Sequence, residues 1–157
     1  MQIYYSGELT DDNISRIFDE AADFIRRPIY VQNLCLFTYA IDGLIASANA
    51  SEYVLKPLVE VLNACDIHGL FNQAKNGAIY NCVAVEVKDL SQAAFLLVNG
   101  FCIVLFPGVG AIAYEVKTPD KRGPSAPQVE NTVKGAKDAF VETVRSNTSL
   151  VRRHLRT

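Results

Sequence analysis

Histidine is scarce in this sequence: His68 and His154 are the two copies, too far apart along the chain to pair by motif. A histidine-assisted nucleophile needs a serine or cysteine partner at a recognisable spacing, and no such spacing occurs. His68 therefore reads as an ordinary loop residue. None of the four cysteines, Cys35, Cys65, Cys82 and Cys102, belongs to a CxxC pair. Metal ligation needs donors gathered on converging turns, so neither a metal site nor a cofactor is expected. Three of these cysteines lie in apolar strand-like runs, which reads as buried, reduced, structural thiols suited to a reducing compartment. The start "MQIYYSGELTDDN" has no basic leader and no apolar core, so no secretory signal is read there. With no acid–base or nucleophile constellation to name, the chain is not expected to be an enzyme.

What is present is a chain of 157 residues, half of them hydrophobic, which is enough for one domain with a real core. Charged residues make up 20%, slightly under the usual share, and the net charge of −2 argues against a nucleic-acid partner. That average conceals a split. Residues 1–116 carry a net −7 and residues 117–157 a net +5. An asymmetry of this kind marks a surface meant for a different neighbour. Between them, "TPDKRGPSAP" (118–127) reads as a proline-rich linker, giving a mixed α/β domain over 1–117 and a linker with a helical segment over 118–157.

A run without charge from 90 to 114 is long enough to span a bilayer. Asn99-Gly100 and "PGVG" (107–110) break it twice, so helix, turn, strand, turn, strand is the better reading. Elsewhere, Thr10 caps a helix with Asp11 and Asp12 in its first turn. Ile14, Ile17, Phe18, Ala21 and Ile25 extend one apolar face, Arg26-Arg27 sits at the negative end, and Pro28 stops it. "LCLFTYAI" (34–41) has the continuity of a central, doubly covered strand, ended by an Asp42-Gly43 turn. "SEYVLKPLVEVLN" (51–63) reads as a helix capped by Ser51, with a kink or restart at Pro57. The polar stretch 71–77 leads into a strand over 78–87. Ser91 caps a short helix closed by Gly100. "FCIVLF" and "AIAYEV" pair through "PGVG", where a following strand rather than a helix rules out a phosphate loop. The alternation of helices and strands predicts a small mixed, partly parallel sheet with crossover helices.

The end of the chain is the most specific part. On a helix over 136–156, Phe140, Val144, Val151 and Leu155 share a narrow arc, with Arg145, Arg152 and Arg156 about a quarter-turn away. From the residues alone, such a basic amphipathic helix can pack on its own domain, pair with another protein's helix, or lie near anionic headgroups. From Arg122 onward, Pro127-Gln128, Glu130, Lys134-Gly135, Phe140, Glu142, Asn147 and Arg152-Arg153 resemble the signature of the spore germination receptor A-subunit (GerA) family. "YAIDGL" (39–44) and "LKPL" (55–58) resemble two further landmarks of that family. The chain departs from the pattern at Val129, Ala136 and Ala139.

The resemblance implies the soluble N-terminal domain of a germinant receptor A subunit, or of the A-like accessory protein of the dipicolinic-acid release system. It further implies a spore inner-membrane location, with this domain on the cytosolic, spore-core side. Expected partners are the other receptor subunits and further copies of the same chain, in an oligomeric ion channel. The segment ending at Thr157 would be a membrane-proximal connector continuing into a membrane-embedded region. In that setting Pro127, Glu130, Lys134, Gly135, Phe140, Glu142, Asn147, Arg152 and Arg153 would organise the connector for assembly and signal relay. The alternative is a small-molecule binding module, its pocket at the carboxyl ends of parallel strands near Asp42 and Gly43.

Overall fold

A computed structural model describes residues 4–79, 82–117 and position 151. The expected linker over 118–127 and the signature residues Pro127, Glu130, Lys134, Gly135, Phe140, Glu142, Asn147, Arg152 and Arg153 lie outside the described residues.

Helix α1 (Asp11–Ile17) starts as anticipated: the Thr10 side chain accepts from the Asn13 amide, and Asp11 and Asp12 occupy the first turn. It is much shorter than its apolar spacing suggested. After Phe18 the chain turns and enters β1 (Phe24–Val31), which pairs antiparallel with β2 (Leu34–Ile41) across Gln32 and Asn33. Both turn residues have positive φ, 50° and 64°, which matches the twist of a tight hairpin. Arg26, Arg27 and Pro28 therefore belong to a strand rather than to a helix end. Pro28 is tolerated because β1 lies at the sheet edge.

The second helical region is built in pieces. Helix α2 (Ser47–Ala50) runs into a π-helical turn (Ser51–Leu55) and then α3 (Lys56–Glu60). Ser51 is thus interior and not the cap. In the widened turn the Lys56 amide donates to the Ser51 carbonyl, five residues back. Pro57 sits in the first turn of α3, where its missing N–H costs nothing, so the expected restart is present. Helix α4 (Ile67–Gln73), capped by Asp66, whose carboxylate accepts from the Gly69 amide at 2.9 Å, runs into the stretch 71–77 read as polar, which continues as a π-helical turn (Ala74–Ala78). Of the strand expected over 78–87, the described residues show β3 (Ala84–Val87). Helix α5 (Leu90–Val98) is capped by Asp89; Ser91 instead accepts from the Tyr5 amide at 2.8 Å and so ties down the amino-terminal segment. The hairpin of β4 (Phe101–Phe106) and β5 (Gly110–Glu115) forms as anticipated. Among the described residues no helix is long and apolar enough to cross a membrane.

Among the described residues five strands run in the order β1-β2-β4-β5-β3, and every neighbouring pair is antiparallel. The partly parallel sheet is thereby corrected to an antiparallel one. The physical reason lies in β1: the hairpin through Gln32-Asn33 replaces the helical crossover that a parallel partner would have needed. All six residues of β4 are buried, and alternate ones face opposite cores. Cys102, Val104 and Phe106 meet Val54, Leu58, Leu70 and Phe71 from α4 and the α2–α3 region. Phe101, Ile103 and Leu105 meet Ile14, Phe18, Ala93 and Leu97 from α1 and α5. Each large side chain so buried contributes about 1.5–3 kcal/mol.

Of the four cysteines, all free, Cys102 is buried, Cys35 and Cys82 are half-buried and Cys65 is exposed, so burial holds for one and fails for Cys65. Gly100 closes α5 at φ +81°, and a Cβ there would stand 2.8 Å from the Leu44 carbonyl oxygen and 3.0 Å from Cγ of Lys117. Gly77 has φ +92° but open space around it. Gly77→Ala is therefore expected to cost only the left-handed backbone term, about 1–2 kcal/mol. Gly100→Ala carries the same term plus the clash and is expected to lose roughly 1–3 kcal/mol more. Urea unfolding of the two variants checks this; equal losses would mean that the contact at Leu44 and Lys117 is unimportant.

Candidate functional site

Strand alternation sends two adjacent arginines to opposite faces of the sheet. Arg26 lies on the face carrying Phe24 and Tyr39, towards α1, while Arg27 lies on the face carrying Thr38 and Ala40. On the first face Arg26 Nε donates to Asp11 Oδ1 at 2.7 Å, and its Nη2 donates to Oδ2. The Tyr39 hydroxyl donates to the same Asp11 Oδ1 at 2.7 Å. The Arg26 guanidinium also lies 4.7 Å from the centroid of the Phe37 ring. Phe18, Phe24 and Tyr39 stack in series, with centroids 4.9 and 6.0 Å apart. The hydrogen bond from Arg26 is the main cause holding the Asp11 carboxyl below its ordinary value, against the opposing effect of partial burial. Burial, and then the bond to Asp11, push Tyr39 far above the usual phenol range. This triad locks α1 to β1 and β2. It acts as a structural clasp, since the Tyr39 side chain is fully buried and its hydroxyl is committed to Asp11.

On the opposite face a cleft of about 130 Å³ lies between β1, β2 and the start of α2. Ala40, Ile45, Leu55 and Cys102 contribute apolar surface to it, and burial raises the Cys102 thiol to about 12, leaving it unreactive. Arg27, Thr38, Ser47 and Ser51 supply its polar groups. The Thr38 hydroxyl is committed, donating to the Arg27 carbonyl at 3.1 Å. Asp42 and Gly43 do not line this cleft, although Ala40 and Ile45 on either side of them do. Their turn closes β2: the Asp42 amide donates to the Asp23 carbonyl at 2.8 Å, and Gly43 has φ 83°. No parallel strands surround it, so the pocket expected at the carboxyl ends of such strands is replaced by this cleft between an antiparallel hairpin and a helix.

The third feature is the point where the chain leaves the sheet. Lys117 forms an isolated antiparallel bridge with Ile45, and the Ala46 amide donates to the Val116 carbonyl at 2.9 Å. The Lys117 ammonium stands 2.7 Å from Glu115 and 5.2 Å from the centroid of the Phe101 ring. Gly100 lies against both Leu44 and Lys117. The path into the basic segment therefore starts from a fixed position beside the end of α5. "YAIDGL" supplies much of this junction. Tyr39 holds α1, Ile41 is buried, and Leu44 abuts the exit. His68 lies in the first turn of α4, and among the described residues no group of histidine, cysteine and carboxylate side chains could hold a metal. Sequence reasoning missed the Asp11–Arg26–Tyr39 clasp, because Asp11 and Arg26 were placed at two ends of one helix.

Among the described residues, a five-stranded antiparallel sheet covered on both faces defines a domain of mixed α+β class. The Bacillus/Clostridium GerA spore germination protein family matches residues 12–157, and the chain belongs to that family. The resemblance read from the carboxyl-terminal signature is thus borne out. Among curated proteins of Bacillus subtilis (strain 168), the chain is 31% identical over 125 residues to spore germination protein B1, covering 77% of this chain and 24% of that protein. To stage V sporulation protein AF it is 29% identical over 119 residues, covering 75% of this chain and 24% of that protein. To the uncharacterized membrane protein YfkQ it is 26% identical over 149 residues, covering 93% of this chain and 28% of that protein. The chain spans about a quarter of the length of these relatives. The fold is similar to the crystal structure of the N-terminal domain of the A subunit of the Bacillus megaterium spore germinant receptor GerK3. The TM-score is 0.61 at 18% identity, over 92% of this chain and 52% of that one.

The clasp yields a pH prediction. A carboxyl whose folded pKa is lowered contributes stability above its ordinary pKa and loses it as pH falls through the lowered value. Asp11→Asn keeps an acceptor for Tyr39 but removes the charge, and is expected to cost about 1 kcal/mol at pH 7. The difference from wild type is expected to shrink below about pH 4. Urea unfolding across that range decides it: a gap that stays constant with pH would mean the Asp11 charge contributes nothing.

Proposed function

We propose that this chain is the N-terminal domain of a germinant receptor A subunit, or of an A-like paralogue, and that it acts in assembly and signal relay to a membrane channel during germination. The observation that carries the reading is the exit at Lys117. A domain that only had to be tethered would need no fixed point of departure, whereas this one bonds the last described residues of its sheet to Ile45 and Ala46. Support also comes from the family membership and from the germination and sporulation proteins among the relatives.

In this reading the signature residues beyond the exit do the connecting. Gly135 permits a turn, Phe140 anchors the helix on an apolar neighbour, and Glu142 pairs with arginines of an adjacent subunit. Glu130, Lys134 and Asn147 organise the segment between Pro127 and the basic pair. Arg152 and Arg153 face headgroups or that subunit on the cytosolic side, in keeping with the bias of positive charge towards that side. A short glycine insertion directly after Lys117 in the full-length protein is expected to leave co-purification with partner subunits intact while slowing the germination response. Changing Arg152 and Arg153 together to Glu is expected to weaken assembly itself. Normal germination with the insertion would overturn the relay role, and unchanged assembly of the double variant would overturn the assignment of the two arginines.

A second reading, a small-molecule (germinant) binding module, is favoured by the cleft beside the Asp42–Gly43 turn. Calorimetric titration with germinant amino acids and sugars tests it. Saturable heat at a simple stoichiometry supports the module, and its absence across the panel removes it.

A further inference from the structure

The cleft and the exit share two consecutive residues. Ile45 lines the cleft and its backbone bridges to Lys117; Ala46 bonds Val116 and caps α2, whose Ser47 and following Ser51 also line the cleft. Anything that displaces the start of α2 therefore displaces the origin of the basic segment, because the same backbone serves both.

The chemistry of the cleft narrows what could enter. Its volume, about 130 Å³, is close to that of cavities that admit a molecule the size of benzene, about six non-hydrogen atoms. Apolar surface comes from Ile45, Leu55 and Cys102, so most of an occupant must be hydrocarbon. Arg27, Ser47 and Ser51 are the lining residues whose side chains can offer an occupant polar groups. Arg26, Lys56, Lys75 and Lys117 are each paired with a carboxylate, whereas among the described residues Arg16, Arg27 and Lys88 are not, and of these three Arg27 lines the cleft. In a domain whose first 116 residues carry a net −7, a guanidinium with no carboxylate partner among the described residues, at an apolar cleft, favours an anion.

We propose that this cleft binds a small branched or cyclic monocarboxylate, its carboxylate against Arg27 and the two serines, and that occupancy is read at the Lys117 exit through Ile45 and Ala46. This deepens the second functional reading by naming the ligand class and its route to the connector. A carboxylate seated there supplies the charge pairing that the described residues leave open at Arg27. Its hydrocarbon part presses on Ile45 and Leu55, and the shift is delivered to the strand bridge rather than to the sheet, whose centre is packed on both faces.

The test is amide NMR on the full 157-residue chain, titrated with isobutyrate and, separately, with isobutanol as its neutral counterpart. Isobutyrate is expected to shift the Ser47, Ser51 and Lys117 amides saturably and with one common midpoint, and isobutanol to bind far more weakly. Arg27→Gln, at an exposed position, is expected to weaken isobutyrate binding roughly tenfold without changing the fold. No saturable shift, or equal binding of isobutanol, overturns the site. Saturation at Ser47 and Ser51 with no response at Lys117 overturns the coupling. Binding of a neutral sugar that persists in Arg27→Gln leaves the module reading standing and sinks the carboxylate assignment.

Discussion

A strand buried along its whole length must be covered on both faces, and β4 imposes that condition on the entire domain. Its side chains alternate between two cores, so each core requires its own helical layer. The layer from α1 and α5 is drawn in by Ile14, Phe18 and Leu97, and the other by Leu58, Leu70 and Phe71. Once both layers are in place, the rest of the structure is a matter of fastening edges. Asp11 fastens α1 to the hairpin through Arg26 and Tyr39, Ser91 fastens the amino-terminal segment to α5, and Ile45 fastens the exit.

The three fastenings differ in strength for physical reasons. The carboxylate of Asp11 accepts bonds from a charged donor and from a largely buried phenol, so removing it strands a polar group out of contact with water. The pair of Lys117 with Glu115 is half-exposed on both sides, and solvent screens it. What holds the exit is therefore the backbone bridge and the close approach of Gly100, which are steric and insensitive to salt. A junction of that type keeps its geometry whatever the ionic conditions around it.

Legibility in the sequence followed how local each signal was. The β4–β5 hairpin, the short helix closed by Gly100 (though its cap was placed at Ser91 and not at Asp89), the Thr10 cap and the restart at Pro57 were readable, because each depends on residues within one turn of one another. Helix α4 was readable in principle: Ile67, Leu70, Phe71 and Ala74 repeat at helical spacing, but the flanking polar residues masked it. The failure at β1 has a different origin. Ile14, Ile17, Phe18, Ala21 and Ile25 fit a helical face by count, and only the long-range pairing of β1 with β2 overrides it. With β1 misread, the sheet became partly parallel, and the clasp and the cleft were both out of sight, since each takes one arginine from that strand. Family membership, by contrast, was legible from "YAIDGL", "LKPL" and the spaced residues beyond Arg122.

The fixed exit has a consequence for whatever is joined to it. Ten residues separate Lys117 from Gln128, and fully extended they span at most about 36 Å. The start of the segment beyond, at Gln128, is thereby kept within one domain's width of a single anchor point, which corresponds to an effective concentration in the millimolar range. Contacts far too weak to form between separate molecules become saturated under that tether. Selection can then act on how fast such contacts exchange, rather than on how tightly they hold.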